Sequence, residues 1–162
     1  MEIGVSIALD QRAFQGALNR LSALVDFSGA ALLEEIAALG ESQTRRRITD
    51  EKTAPDGTPW KPNLAGTSIL LQSGQNLLAS VASSSDDEEA VWGAAWEFAH
   101  IHQDGAVITA KTAAALQFRV GDRSVHAKSV TIPARPFVGL SAENRAELDE
   151  LITDHFERLG RP

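Results

Sequence analysis

Leu116-Gln117-Phe118-Arg119-Val120-Gly121-Asp122-Arg123-Ser124-Val125-His126-Ala127-Lys128-Ser129-Val130-Thr131-Ile132 consists of two β-type runs joined by a Gly-Asp turn. Leu116, Phe118 and Val120 share one parity, so the first run has one buried face. Gly121-Asp122 supplies the turn chemistry of a hairpin. In the return run Val125 and Ala127 keep one parity, whereas Val130 and Ile132 fall on the other, which predicts a bulge or a two-sided strand. Val107-Ile108-Thr109 adds a β segment just upstream.

Helical patterns flank this β region. Phe14, Leu18, Leu21 and Leu24 follow a potential N-cap at Asp10, and their spacing predicts a helix with one stripe against a core. Ile3, Val5, Ile7 and Leu9 alternate ahead of it as a strand would. A second helix is expected from about residue 28 to about 48, with Leu32, Leu33, Ile36, Leu39 and Ile48 as its apolar positions. A short helix within residues 70–80 is expected to precede a strand, with residues 83–89 as a polar hairpin connection and Ala90-Val91-Trp92-Gly93-Ala94 as the return. Another short helix should run from Trp96 to Gln103 and end at Asp104-Gly105. Ser141 is a good N-cap for a last helix reaching about Leu159, with Leu148, Leu151, Ile152 and Phe156 on its apolar stripe. Asn144 stands where a capping box has Glu or Gln, so the box reads as incomplete. The expected fold is a single α+β domain over residues 1–162, an antiparallel sheet with a long hairpin packed against two to four helices.

Composition narrows the function. The 162 residues carry 15 Lys and Arg against 22 Asp and Glu, a formal charge of −7. That balance argues against a protein whose main task is gripping bare nucleic acid, because such affinity comes from cations neutralising phosphates. Cysteine is absent, which removes disulfides, zinc–thiolate sites and thiol nucleophiles. No apolar run approaches the roughly 20 residues of a membrane span. The start Met1-Glu2-Ile3-Gly4 lacks the basic and apolar regions of a signal peptide, so a cytoplasmic protein is expected. The acidity is uneven. Residues 1–81 hold seven bases and nine acids, residues 82–162 eight and thirteen.

Catalytic patterns are scarce. His100 and His102 lie two apart, which on a helix separates them by about 200°. On a strand they would share a face and, with Asp104, make a three-ligand metal site of the kind a hydrolase uses. The local pattern is helical, so a packed, hydrogen-bonded role for His102 is the stronger reading. His126 and His155 read as surface positions. There is no Gly-x-Ser-x-Gly elbow and no phosphate-binding glycine loop. Asp86-Asp87-Glu88-Glu89 reads as a solvated loop tip. Arg45-Arg46-Arg47 splays over about 200° of a helix. It is either a solvated helix end favoured by the dipole or a phosphate or interface contact.

Three segments in order add more. They are Asp56-Gly57-Thr58-Pro59-Trp60-Lys61-Pro62, Phe98-Ala99-His100-Ile101-His102-Gln103-Asp104-Gly105, and Ile132-Pro133-Ala134-Arg135-Pro136-Phe137-Val138-Gly139-Leu140-Ser141. Together they resemble the phage virion morphogenesis family, the tail-completion proteins of Mu-like and related tailed phages and prophages. That family shows an Asp-Gly-x-x-Trp loop, an aromatic-Ala-x-x-His-Gln-x-Gly stretch and an Ala-Arg-Pro-aromatic-x-Gly segment before a C-terminal helix. Leu71-Gln72-Ser73-Gly74 is similar to the family's Ser-Gly step. Phe98 stands where a Tyr is common, and Gln75-Asn76 is one residue more than expected before the leucine.

The resemblance implies a structural role without catalysis, metal or cofactor. The chain would complete the tail or neck and support head–tail joining, as a subunit of a ring of about six copies. Its partners would be further copies and neighbouring tail or neck proteins, with DNA passing through rather than being bound specifically. It would assemble in the host cytoplasm and end in the virion. The interaction candidates are Asp56, Gly57, Trp60, His102, Gln103, Arg135, Pro136 and Phe137. Trp60 and Phe137 are either core residues or interface anchors. Pro133 and Pro136 stiffen the segment around Arg135, whose guanidinium suits a fork contact with a carboxylate, within the subunit or across a ring. His102-Gln103 is placed to bind the backbone of the Pro-rich loop. An acidic lumen would let DNA slide without sticking.

Overall fold

The computed structural model describes residues 11–25, 27–71 and 74–160. The N-terminal alternation over residues 3–9, the cap at Asp10 and the Gln72-Ser73 step lie outside them. Among the described residues five helices and six short strands follow in the order α1 (Gln11–Val25), α2 (Gly29–Arg46), a π turn (Arg47–Glu51), α3 (Gly74–Ala79), β1 (Val81–Ser85), β2 (Ala90–Ala94), α4 (Ala99–Asp104), β3 (Ala106–Thr109), β4 (Leu116–Val120), β5 (Arg123–Ala127), β6 (Ser129–Ile132) and α5 (Ala142–Gly160). The class is α+β and the pairing antiparallel. Among the described residues the strands form three separate two-stranded ladders, β1–β2, β3–β6 and β4–β5, rather than one sheet.

The parity change in the long β region has a simple cause. Leu116 pairs with Ala127 and Val120 with Arg123, so β4 and β5 are the expected hairpin. Beyond Lys128 the chain leaves that ladder, and β6 pairs with β3, Ile132 opposite Ala106. One residue between β5 and β6 resets which side chains face inward. Ser83, Ser84 and Ser85, expected in a polar connection, are instead strand residues opposite Trp92, Val91 and Ala90. The connection shrinks to residues 86–89. There Asp86 Oδ1 accepts from the backbone N–H groups of Glu88 and Glu89 (2.8 and 2.9 Å) and closes the turn.

The core gathers where the π turn, α3, β1 and α4 meet the loops that carry Trp60, Leu70 and Phe137. Ile48, Trp60, Leu70, Leu77, Val81, Ala99 and Phe137 form one buried cluster. α2 packs on both strands of the β1–β2 ladder and on α5. Gly40 makes the first contact possible, because a Cβ there would lie 2.3 Å from the Trp92 ring. Gly40→Ala is therefore expected to destabilise the protein by about 1–3 kcal/mol despite alanine's better helix propensity. A thermal unfolding curve checks it, and an unchanged or raised midpoint contradicts it.

Both ends of the helical frame depart from the periodicity reading. Three of the four expected stripe positions do not face the core: Phe14 is 50% exposed, Leu18 42% and Leu21 58%, while the Leu24 side chain lies outside those described. α1 packs mainly against one element, α5. On α5 the buried positions are Asn144 and His155, and Phe156 is 40% exposed. His155 is thus no surface residue. Its ring meets Phe27 edge-on at 5.9 Å, and its Nδ1 lies 3.4 Å from Glu35 Oε1. Burial pushes the Glu35 pKa up, but hydrogen bonds from Arg158 and His155 outweigh this and hold it below the ordinary value.

The start of α5 is capped more completely than the sequence suggested. Asn144 N–H donates to Ser141 Oγ (3.1 Å), and Ser141 N–H donates to Asn144 Oδ1 (3.2 Å). Asparagine closes the reciprocal box that Glu or Gln usually completes, because its side-chain carbonyl still reaches the Ncap N–H.

Candidate functional site

The three motif segments converge on one another. In the first, Asp56 Oδ1 accepts from Thr58 N–H (2.8 Å) and Gly57 takes a φ of +84°, so the Asp-Gly pair makes a tight exposed turn. The Thr58 backbone N–H holds the Asp56 carboxyl below its usual pKa. Thr53 bridges Pro59 across the loop, and Trp60 N–H donates to Lys52 O (2.9 Å). These bonds fold Trp60 inward, leaving it 5% exposed, and its indole Nε1–H donates to Pro136 O (3.1 Å).

The second segment is α4 and its end. Gln103 is the cross-brace: its Oε1 accepts from Phe137 N–H and Val138 N–H (3.0 and 3.1 Å), and its Nε2 donates to Val138 O (3.1 Å). Three backbone groups of an irregular segment are satisfied by one amide that has both a donor and an acceptor. Gln103 therefore binds the Arg-Pro-Phe segment, not the Pro-rich loop. His102 contributes its carbonyl, which accepts from Arg135 N–H (2.8 Å), while its ring stacks on Trp96 at 5.8 Å. Gly105 follows with a φ of +76°, and a Cβ there would sit 2.7 Å from Ala134 N, so only glycine allows the third segment this close.

In the third segment Arg135 is 6% exposed. Its guanidinium donates to two backbone carbonyls, Lys61 O (3.0 Å) and Pro62 O (3.2 Å), and not to a carboxylate. The contact lies within the subunit. Phe137 is 1% exposed and belongs to the core, as does Trp60. Pro136 supplies the carbonyl that receives Trp60. Of the eight candidates, Asp56 and Gly57 stay on the surface, while the side chains or backbones of the other six tie the three segments together.

Residues that the motifs do not include complete the site. Arg47, 0% exposed, donates through Nη1 to Phe137 O (3.2 Å) and Gly139 O (2.7 Å), and through Nη2 to Asn144 Oδ1. Its Nε makes no hydrogen bond, but Glu51 lies 3.5 Å away and offsets its charge. Burial lowers the Arg47 pKa and Glu51 opposes the shift. Gln43 Nε2 donates to Asn144 O (3.1 Å) and Glu147 (2.7 Å). The arginine triplet is thus neither a solvated end nor a phosphate grip. Arg45 binds Glu41 and the carbonyls of Leu78 and Val81, and Arg46 binds Glu51 and Glu147. The three splay as the helix dictates to intramolecular partners, with Glu51 shared between Arg46 and Arg47.

Chemistry for turnover is not assembled. His100 lies outward on α4 and His102 inward, so the pair and Asp104 are not brought together, and among the described residues no three His, Asp or Glu side chains gather as metal ligands. Burial, and secondarily the Arg135 charge, push the His102 pKa below its ordinary 6.5, and its Nδ1 has no hydrogen-bond partner. Because folding favours the neutral ring, its stabilising contribution is complete above that ordinary value and is lost as pH falls toward the depressed folded value. The stability gap between the wild type and His102→Gln should therefore shrink between about pH 7.5 and pH 5. Urea midpoints measure it, and a constant gap contradicts the assignment.

Beside this knot lies an open, mainly apolar groove of about 740 Å³. Leu64, Ile108, Phe118, Val130 and Ile132 line it, with His102 and Arg135 at its floor and Lys61 and Arg119 on its rim.

Residues 9–157 match the model of the phage virion morphogenesis family. The chain belongs to that family. It is 30% identical over 131 residues to the Mu-like prophage FluMu G protein 2 of Haemophilus influenzae, a match that covers 80% of each chain. No solved structure matches it. All three converging segments lie inside the matched range, so the braced core just described is built from the part of the chain the family shares. The family is one of structural phage proteins, and the chain is a phage virion morphogenesis protein of the tail type. Among the described residues no helix is long and apolar enough to cross a membrane.

Proposed function

We propose that this chain, as one domain, completes the tail or neck of a virion and supports head–tail joining. It acts without catalysis as one subunit of a closed ring around the DNA path. The observation that carries this reading is what the motif side chains do. Trp60, Gln103, Arg135 and Phe137 tie three loops into a core, which leaves the surface, not a catalytic cleft, to meet other molecules.

That surface suits a conduit. Asp86, Asp87, Glu88 and Glu89 at the β1–β2 tip are exposed, as are Glu143, Asp149, Glu150, Asp154 and Glu157 on α5. A ring of about six such subunits is strongly negative, and an inner wall built from either face repels phosphates and lets DNA slide. The C-terminal half is not uniformly acidic, since Lys111, Arg119, Arg123 and Lys128 are exposed around β4 and β5. The ring's partners are further copies and neighbouring tail or neck proteins, met in the host cytoplasm before the protein enters the virion.

Deleting the gene tests the role. The expected lysate holds DNA-filled heads and separate tails that do not join, and complementation restores joining. Intact infectious particles from the deletion strain would overturn it.

A further inference from the structure

Between α2 and β1 lies an open cleft of about 700 Å³. α2 lines it with four alanines and Glu34, β1 with Ser83, Ser84 and Ser85, and the turn after β1 with Asp86 and Asp87. Most of these side chains are small and none is basic. Consecutive strand residues alternate between faces, so a cleft that touches three in a row meets β1 along an edge. That edge is the open one, because among the described residues β1 pairs only with β2, and no β2 residue borders the cleft.

The β4–β5 hairpin is the opposite kind of surface. Among the described residues it packs on no other helix or strand more than marginally. A lone two-stranded ladder is only marginally stable in water. The apolar groove borders β4 and no residue of β5, so the outer edge of β5 is open as well. Residues 116–128 hold three bases and one acid. Arg119 and Arg123 are exposed near the tip and make no ion pair with a described residue, and neither do Glu34 and Asp87 in the cleft.

We propose that the β4–β5 hairpin of one copy inserts into this cleft of a second copy, with the outer edge of β5 beside the open edge of β1. The proposal deepens the ring reading and rests on its claim that copies associate. Charge selects the pair: Arg119 and Arg123 meet Glu34, Asp86 and Asp87, which are all exposed within one subunit. Backbone chemistry selects the edge. An open strand edge offers unpaired N–H and C=O groups, and adding a strand to it is a recurring mode of recognition. The alanine and serine side chains leave room for the incoming ribbon. The acids of α5 form another anionic surface, but a helix has no open edge to offer a strand. Because hairpin and cleft are different patches of one subunit, the contact is head-to-tail, and repeated contacts close a ring when the rotation permits. It covers Asp86 and Asp87 and leaves α5 as the acidic face along the DNA path.

Two full-length variants reverse the charges separately: Arg119→Glu with Arg123→Glu on the hairpin, and Glu34→Lys with Asp87→Lys in the cleft. Asp86 is kept because it closes its own turn. All four sites are exposed, so both variants should keep the wild-type circular dichroism. Each variant alone is expected to self-associate less tightly in sedimentation by on the order of tenfold or more. An equimolar mixture should recover wild-type association, because every hairpin then finds a cleft of opposite charge. The absence of cysteine permits a second readout. Ser84→Cys and Ser124→Cys, mixed and treated with a short bismaleimide, should give a linked heterodimer, with each variant alone giving only background. Wild-type association by the cleft variant together with loss in the hairpin variant puts the hairpin on α5 and overturns the proposal. Wild-type association by both variants without an 84–124 link overturns the surface assignment and leaves the ring reading standing. The same holds if the hairpin variant then loses salt-dependent retention on duplex DNA, which makes DNA the hairpin's partner. No association of the wild type at the highest concentration reached overturns both.

Discussion

Replacing Arg47 by alanine is expected to lower the unfolding free energy by about 3–5 kcal/mol. The loss is large because Arg47 is fully buried and its guanidinium serves three acceptors from two separate segments, Phe137 O, Gly139 O and Asn144 Oδ1. Truncation takes the guanidinium donor from Phe137 O and Gly139 O and leaves Asn144 Oδ1 with only Ser141 N–H, and each buried group left unpaired costs about 1–3 kcal/mol before the structure relaxes. It also strips Glu51 of one neighbouring cation. Arg47→Lys should recover little, since one ammonium cannot reproduce a planar fork reaching acceptors in different directions. A double-mutant cycle with Asn144→Ala should show a coupling of about 0.5–3 kcal/mol. Urea titrations of the four proteins decide it. A loss for Arg47→Ala below about 1 kcal/mol would mean that the helix end is solvated after all.

Phe137→Ala should cost a similar amount, about 3–5 kcal/mol. Phe137 is 1% exposed and sits in the core cluster with Ile48, Trp60 and Leu77. Its N–H is held by Gln103 Oε1 and its carbonyl by Arg47, so the backbone around it cannot easily collapse into the cavity. Trp60→Phe is the milder companion. It keeps an aromatic ring but loses the indole bond to Pro136 O, for about 1–2 kcal/mol. Against a typical domain stability of about 5–15 kcal/mol, either Arg47→Ala or Phe137→Ala leaves a poorly populated fold. A native-like urea midpoint for Phe137→Ala would place this residue at an interface rather than in the core.

Local pattern made much of the fold legible. The β4–β5 hairpin was marked by Gly121-Asp122 between alternating runs, and α5 by Ser141 and its apolar spacing. Parity alone left open whether Val130 and Ile132 sit beyond a bulge. The observed answer, a change of partner to β3, depends on a long-range pairing that no local pattern encodes. The α1 stripe was correctly periodic and wrongly placed, because amphipathicity says that a face needs covering and not which molecule covers it.

The site was legible in part. The ordered motifs led to Trp60, Gln103, Arg135 and Phe137, but their roles turned on burial, which a motif does not show. Arg135 met carbonyls and not a carboxylate, because irregular Pro-rich backbone offers acceptors that have no ladder to join. Arg47 was hidden inside a triplet that reads as a charged helix end. Its one signal was Asn144, an unusual residue at the third position of a capping box, which holds both Ser141 N–H and the buried guanidinium.

The most direct test of the central claim is immunogold or cryo-electron microscopy of virions that carry this protein. The account predicts the chain at the head-proximal end of the tail, as a single ring of about six copies with the DNA path through its centre. Copies spread along the tail shaft, copies confined to the distal tip, or virions that lack the protein would contradict it.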